Sequence, residues 1–289
     1  MAGGQFLNSL SGGLDRGARL ADDARMRVTF LGTGTSHGIP QIGCDCAVCR
    51  SDNPRNKRLR PSVYIENDSH CLLVDATPDF RTQALRADIR RVDAVLMTHT
   101  HADHVLGLDE LRVYCHRTGK KMPVYGSPHS IATIQRLFPY ACTDKPEWPG
   151  LPSFELHTVQ PNQPFEVSGV TVRPLPLHHG RMIVFGFLFG PDLAYVTDCK
   201  VVPAEVIEAI RGVPVLVLDA LRHREHPAHL NIKEACGVAQ LVGAKLTLFT
   251  HLCHEADHEA VENGLPPRVR VAYDGMQIEV VNGEVRQIA

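Results

Sequence analysis

No stretch of the 289 residues approaches the ~20 consecutive apolar residues needed to cross a bilayer, so a helical membrane anchor is not expected. Charge of one sign is missing too. Thirty Lys and Arg stand against 32 Asp and Glu, a net charge of -2, which leaves no global basic field to gather nucleic acid and makes any phosphate recognition local. Gly32-Thr33-Gly34-Thr35 lacks a downstream Gly-Lys-Ser/Thr, which removes the P-loop and leaves a tight turn after a first strand. Met1 to Met26 lacks the apolar centre of a signal peptide, because Asp15, Arg16, Arg19 and Asp22-Asp23 interrupt it, and it reads as a loose or locally helical extension. After residue 26 no linker is evident, so 27–289 is expected to form one domain. Nine cysteines are an odd number without a secretory context, and the expected compartment is the cytoplasm.

What the chain does have is histidine in clusters. His99, His101, Asp103 and His104 fall within six positions, directly after the apolar run Val92 to Met97. Imidazole and carboxylate are ligands for borderline divalent metals. His99 and His101 can reach one ion together, while Asp103 and His104 point to a second position about 3.5–4 Å away, the usual separation in two-metal hydrolases. A solvated, histidine-rich loop accounts for one such residue but poorly for four. Further candidates stand at strand ends: His178 and His179 after Pro174 to Leu177, Asp198 after Leu193 to Val196, and His251 after Leu246 to Thr250.

Taken in order, Gly32-Thr-Gly-Thr, His99-x-His-x-Asp-His, His179, Asp198 and His251 resemble the metallo-β-lactamase fold hydrolases over nearly all the chain after residue 26. The resemblance implies an αββα sandwich with a dinuclear metal site at one edge. It implies His99, His101 and His179 at the first metal, Asp103, His104 and His251 at the second, and Asp198 bridging the two. His179 is preferred to His178 on its Leu-x-His-small-residue context. Asp75, ending a strand, and less so Asp79 are candidates to support the metal histidines from behind.

A second cluster narrows the resemblance. Cys44, Cys46 and Cys49 are too tight for mutual disulfides and one ligand short of a closed tetrahedral zinc, for which His254 is the natural fourth. The pattern Thr33-Gly-Thr-Ser-x-Gly-x-Pro, CxCxxC and His251-x-x-His resembles the PhnP-like phosphodiesterases of the carbon–phosphorus lyase pathway, which open a phosphoribosyl 1,2-cyclic phosphate. In them the three cysteines and this histidine carry a structural zinc. The implied activity is hydrolysis of a small, cyclic or open, phosphodiester, with His229 and Asp103 as catalytic side chains and His229 as general acid. His223 and His226 are weaker candidates for that acid. Two ions would lower the pKa of a shared water from 15.7 toward ~7. Zn, Mn, Fe and Ni all suit the donors.

The expected partner is a small phosphodiester, not nucleic acid or a membrane, and a homodimer is compatible with the sequence. A tRNA 3′-processing endonuclease, a lactone or thioester hydrolase, and a metal-containing binding or regulatory module are the alternatives. The basic run Arg55, Lys57, Arg58 and Arg60 can serve a substrate phosphate or simply face solvent.

From Arg27 the pattern alternates. Strands are expected at Arg27–Leu31, Ser62–Glu66, Cys71–Val74, Val92–Met97, Val170–Arg173, Ile183–Phe189, Leu193–Val196, Val213–Leu218, Leu246–Thr250 and, with a bend near Asp274-Gly275, Val269–Val280. Helices are expected at Pro78–Ala87, Leu106–Tyr114, Ser130–Leu137, Ala204–Ile210 and Ile232–Leu241. Leu137 to Pro164, with six prolines, reads as a long loop.

Overall fold

A computed structural model describes residues 25–67, 69–144 and 148–289. The first half carries β1 (Arg25–Gly32), α1 (Ala47–Arg50), β2 (Ser62–Asn67), β3 (Cys71–Val74), α2 (Phe80–Arg86), β4 (Ala94–Leu96), α3 (Ala102–Val105), α4 (Arg112–Thr118), β5 (Met122–Gly126), α5 (Pro128–Leu137) and β6 (Phe154–Thr158). The second carries β7 (Phe165–Val167), β8 (Val170–His179), β9 (Met182–Phe189), β10 (Leu193–Val196), α6 (Ala204–Ala209), β11 (Val215–Asp219), α7 (Ile232–Val242), β12 (Leu246–Thr250), α8 (His258–Asn263), β13 (Val269–Val271), β14 (Gln277–Val281) and β15 (Glu284–Gln287). One sheet has the order β15-β14-β1-β2-β3-β4-β5-β6, and the other β13-β12-β11-β10-β9-β8-β7.

Strands buried on both faces explain the layers. Along β11, Val215 and Val217 join the core between the sheets with Phe30, Val74, Leu96 and Phe187, while Leu216 and Leu218 point the other way and pack with Val206, Ala235 and Val261 of α6, α7 and α8. The first sheet does the same: Val74 faces inward, and Leu73 packs outward with Phe80 and Tyr114 of α2 and α4. This is the expected αββα sandwich. Strands β3 to β6 are mutually parallel, as are β10 to β13, so their carboxyl ends lie at a common edge of each sheet.

Several expectations need correction. The strand expected from Arg27 starts at Arg25, and Met26 is buried in it; the rest of the expected extension, 1–24, lies outside the described residues. The helix expected at Leu106–Tyr114 is broken into α3, a 3-10 turn at Leu108–Leu111, and α4. Gly107 causes the break: its N–H bonds Ala76 O at 2.9 Å, and a Cβ there would stand 1.9 Å from Thr77 O. The proline-rich segment contains β6, an edge strand, inside the expected loop. Val269–Val280 is two strands in different sheets, because the bend at Asp274-Gly275 carries the chain from one layer to the other.

Candidate active site

Three acidic or imidazole side chains reach the shared edge through unusual backbone. Asp75, Asp198 and His251 follow β3, β10 and β12 with φ of 60°, 54° and 63°, in the left-handed region that costs a non-glycine residue about 1–2 kcal/mol. A strand that simply continued would send these side chains under the helical layers, where Leu73, Val196 and Phe249 two residues earlier already pack. The turn instead aims them along the edge, where His99 and His101 leave β4, His104 sits on α3, and His179 closes β8.

The edge is crowded. His99 Nε2 lies 2.9 Å from His101 Nδ1, and donor atoms of His99, His101 and His179 lie within 4.8 Å of one another, as do those of Asp103, His104 and His251. Asp198 stands between the two groups, with Oδ1 3.1 Å from His251 Nε2 and Oδ2 3.4 Å from His104 Nε2. Burial would raise the Asp198 carboxyl, but His251 and His104 outweigh it and hold it well below the usual carboxylate range. Burial depresses His99 and His179. It acts on His104 in the same direction, yet Asp198 and Asp75 reverse it and raise that ring well above its ordinary value.

Behind this layer, Asp75 Oδ2 accepts from His104 Nδ1 at 2.7 Å and from Thr98 Oγ1 at 2.7 Å, and Ala228 O accepts from His179 Nδ1 at 2.9 Å. These contacts leave each Nε2 facing the edge. His104 Nε2 and His251 Nε2 are buried and, among the described residues, make no well-oriented hydrogen bond; their nearest partners are the carboxylates of Asp198 and Asp103 at 3.1–3.4 Å. Imidazole and carboxylate donors crowded together with such poor mutual hydrogen bonding suit a cation held between them.

His229 is buried beside them, 4.7 Å from the His251 ring and 4.6 Å from the His179 ring. Its Nδ1 donates to Asp219 Oδ2 at 2.8 Å. Burial works against the charged ring, but Asp219 outweighs it and pushes the ring up to about 9. Asp219 was missed in the sequence. It closes β11, is fully buried, and also accepts from Cys199 N at 2.9 Å. The signal that could have found it is an apolar run ending in aspartate, Val215 to Asp219, the same as at Asp75 and Asp198.

The sulfur cluster is built locally. Cys46 caps α1, accepting from Cys49 N at 3.4 Å, so Cys46 and Cys49 share one face of a single turn. Cys44, Cys46 and Cys49 Sγ lie 3.2, 3.5 and 3.8 Å from one atom, His254 Nδ1. A single ring nitrogen cannot serve three thiols. The Cys49 N–H pulls the Cys46 thiol down to about 6, whereas burial pushes Cys49 up to about 11.

Residues 70–252 match the description "Beta-lactamase superfamily domain", spanning every histidine and aspartate of the edge but not the sulfur cluster. The chain belongs to the β-lactamase superfamily. With the metallo-β-lactamase fold it is a metal-dependent hydrolase. A superfamily member of solved structure, described as a new diphosphatase from the PhnP family, is 40% identical with a TM-score of 0.82, over 88% of this chain and 97% of that one. A protein named octanoyltransferase from Porphyromonas gingivalis is 41% identical over 256 residues, 87% of this chain but 51% of that protein, so the chain spans about half of that relative. A ribonuclease Z from Mycobacterium sp. is 25% identical over 293 residues, 89% of this chain and 97% of that protein.

Other expectations fall away from the superfamily edge. His178 is exposed on the opposite side of β8 from His179, and His223 is exposed. His226 is half-buried, 5.0 Å from His229. Asp79 binds Arg60, not a site histidine. Arg58 is neither a phosphate contact nor a solvated charge: it is buried, donating to Thr33 Oγ1 and Ala272 O at 2.7 Å and to His258 Nδ1 at 3.0 Å. Arg55 lies over the Tyr273 ring and Lys57 donates to Cys49 O, so the basic run is structural cement. Among the described residues no helix is long and apolar enough to cross a membrane.

Proposed function

We propose that the chain is a dinuclear metal phosphoesterase acting on a small substrate at a singly charged, doubly substituted phosphorus. The observation that carries this reading is the convergence of seven His and Asp side chains, in three-donor groups within 4.8 Å on either side of the buried Asp198 carboxylate. His99, His101 and His179 would hold one ion, Asp103, His104 and His251 a second, and Asp198 both. Zn, Mn, Fe or Ni suits this donor set. When bound, such ions bring the pKa of water from 15.7 toward ~7 and draw charge from a phosphoryl oxygen.

The chain's own groups supply the rest. His229, charged at neutral pH and held in orientation by Asp219 at Nδ1, donates the Nε2 proton to the leaving oxygen. Asp75 orients His104, and the Ala228 carbonyl orients His179. Asp103, held by His104 well below the usual carboxylate range although burial opposes this, stays an anion and anchors the second position. Cys44, Cys46, Cys49 and His254 would hold a structural zinc; four donors leave no open position for substrate. The free thiols of the described chain suit a reducing compartment, the cytoplasm.

A disubstituted diphosphate presents the same kind of phosphorus as a phosphodiester, one charge and two ester or anhydride links. The likeness to the PhnP-family diphosphatase favours including it. Nucleic acid fits less well, given the net charge of -2. Octanoyl transfer belongs to a relative of which this chain covers half, and the edge offers metal donors rather than a thiol nucleophile. The test is turnover by metal-analysed protein of aryl and cyclic phosphodiesters, disubstituted diphosphates, phosphomonoesters, lactones, thioesters and pre-tRNA. Activity confined to phosphodiesters or diphosphates is expected. Activity only on a lactone or thioester, or none with two ions bound, would overturn the reading.

A further inference from the structure

Asp75, Asp198 and Asp219 all stand at strand ends along the metal-type edge, yet they are not steadied in the same way. Asp75 Oδ1 accepts from Thr98 N at 2.8 Å, and Asp219 Oδ2 from Cys199 N at 2.9 Å. A main-chain N–H points where the backbone points and holds its acceptor still. Asp198 depends on a rotor: Thr197 Oγ1 donates to its Oδ2 at 2.9 Å. A hydroxyl has one proton and two lone pairs and can turn that proton elsewhere. The carboxylate between the two ligand groups is thus held by a donor that itself needs holding.

Tyr195 stands where that hold can come from. Along β10 the side chains alternate, Ala194 and Val196 packing under the helices, Leu193 and Tyr195 into the core between the sheets, and Thr197 continues the alternation on the side of Tyr195. Tyr195 is 1% exposed and Thr197 fully buried. The Tyr195 hydroxyl has no hydrogen-bond partner among the described residues. An unpaired phenol oxygen in an apolar core costs free energy that a phenylalanine ring in the same place does not. Burial pushes this phenol well above its ordinary value and Asp75 and Asp198 add to the rise, while the Thr197 hydroxyl opposes it. The group is a neutral O–H with a proton to give, among acidic and hydroxyl neighbours at the edge end of β10.

Resting on the dinuclear reading of the site, we propose that Tyr195 is a positioning residue for Asp198, donating its hydroxyl proton to Thr197 Oγ1 and so directing the Thr197 proton onto the Asp198 carboxylate. The relay runs one way, phenol to hydroxyl to carboxylate, and each donor strengthens the next. With a Thr197 lone pair occupied, its proton stays aimed at Oδ2, and the carboxylate keeps the orientation that faces both ligand groups. Tyr195 touches neither ion nor substrate. Its effect is on how firmly the edge holds its ions.

The test is zinc affinity, read by competition with a chromogenic chelator on the full chain, together with Tm of the metal-free protein. Tyr195→Phe deletes one oxygen. It should weaken the looser of the two edge zinc ions roughly 3–10-fold, the range for one hydrogen bond, and leave the metal-free Tm unchanged or higher. Thr197→Val should weaken the same ion at least as much, whereas Thr197→Ser, which keeps the hydroxyl, should stay near the wild type. Adding Tyr195→Phe to Thr197→Val should cost nothing more, because the relay is already cut. Wild-type zinc affinity in Tyr195→Phe, or losses that multiply in the double variant, overturns the relay and leaves the dinuclear reading standing. A Tyr195→Phe chain that fails to fold, or whose metal-free Tm drops, assigns the oxygen to cohesion and overturns the relay as well. A wild type that takes up no zinc beyond the ion of the sulfur cluster overturns the dinuclear reading itself and the relay with it.

Discussion

The two donor clusters of this chain differ in every way that separates chemistry from architecture. The histidine–aspartate cluster draws on both sheets, with side chains delivered from β4, α3, β8, β10 and β12 and three backbone positions in a strained region. The sulfur cluster draws on one helical turn and a single distant histidine, and two of its three thiols are only half-buried. The first has more donors than one ion needs and borders an open cleft, while the second has four donors around one point. Long-range assembly, with three of the left-handed residues, lies where substrate would bind, and local, cheap geometry where only cohesion is needed. His251 and His254, three residues apart, join the two.

The harshest way to break this division is at Asp198, which stands between both ligand groups. Asp198→Asn should lose at least one ion and all turnover above the buffer blank, as read by elemental analysis and phosphodiester hydrolysis on the same sample. Retention of two ions with sustained turnover would move the chemistry elsewhere. His229→Ala asks a finer question, since it should keep both ions. Turnover on an alkoxide leaving group should fall about 10²–10⁴-fold, with a much smaller fall on an aryl phosphodiester that needs little protonation. Loss of an ion would make His229 a ligand, an outcome its closeness to His179 and Asp198 makes worth measuring.

How far the sequence revealed each cluster follows from how local each is. His99 to His104 and Cys44 to Cys49 are contiguous, so residue types and spacing alone expose them. His179, Asp198 and His251 are dispersed, and only strand ends together with the family resemblance linked them. Asp219 carries the same apolar-run-then-aspartate signature but was passed over, because the pattern of one strand does not say which other strand ends share its edge. The short strands β7 and β15 and the passage of the chain between sheets at Asp274-Gly275 are equally silent: three or four residues carry too little periodicity, and pairing partners are set by tertiary packing.

Cys46→Ser probes the sulfur cluster alone. It should release one zinc, leave the other ions in place, and lower Tm, by roughly 2–4 °C for each kcal/mol of binding energy lost to folding. Turnover should fall much less than in Asp198→Asn, because only the loop joining His254 to His251 is loosened. An unchanged zinc count, or full loss of turnover with an unchanged Tm, would erase the distinction between the clusters.

The smallest effect concerns what holds the sulfur loop against His254. Asn56, fully buried, donates to Asp257 Oδ2 at 2.7 Å and accepts from His258 N at 2.9 Å, while Arg58 donates to His258 Nδ1 at 3.0 Å. That last bond requires an uncharged ring. Burial first, and then the Arg58 and Arg55 charges, hold His258 down to about 4, against about 6.5 for an unperturbed imidazole. Above about pH 6.5 the ring is neutral in both folded and unfolded chains, and the clamp contributes fully. As pH falls from about 6.5 to 4 the unfolded chain takes up the proton that the folded one refuses, so this contribution is lost. Carboxylates titrate over part of the same range, so the informative quantity is a difference: Tm against pH for the wild type minus that for His258→Gln, whose amide oxygen can still accept from Arg58. The wild type should fall more steeply between pH 6.5 and 4 by a few degrees at most. Parallel profiles would mean that the ring titrates normally and that the clamp depends on Asn56 and Asp257 alone.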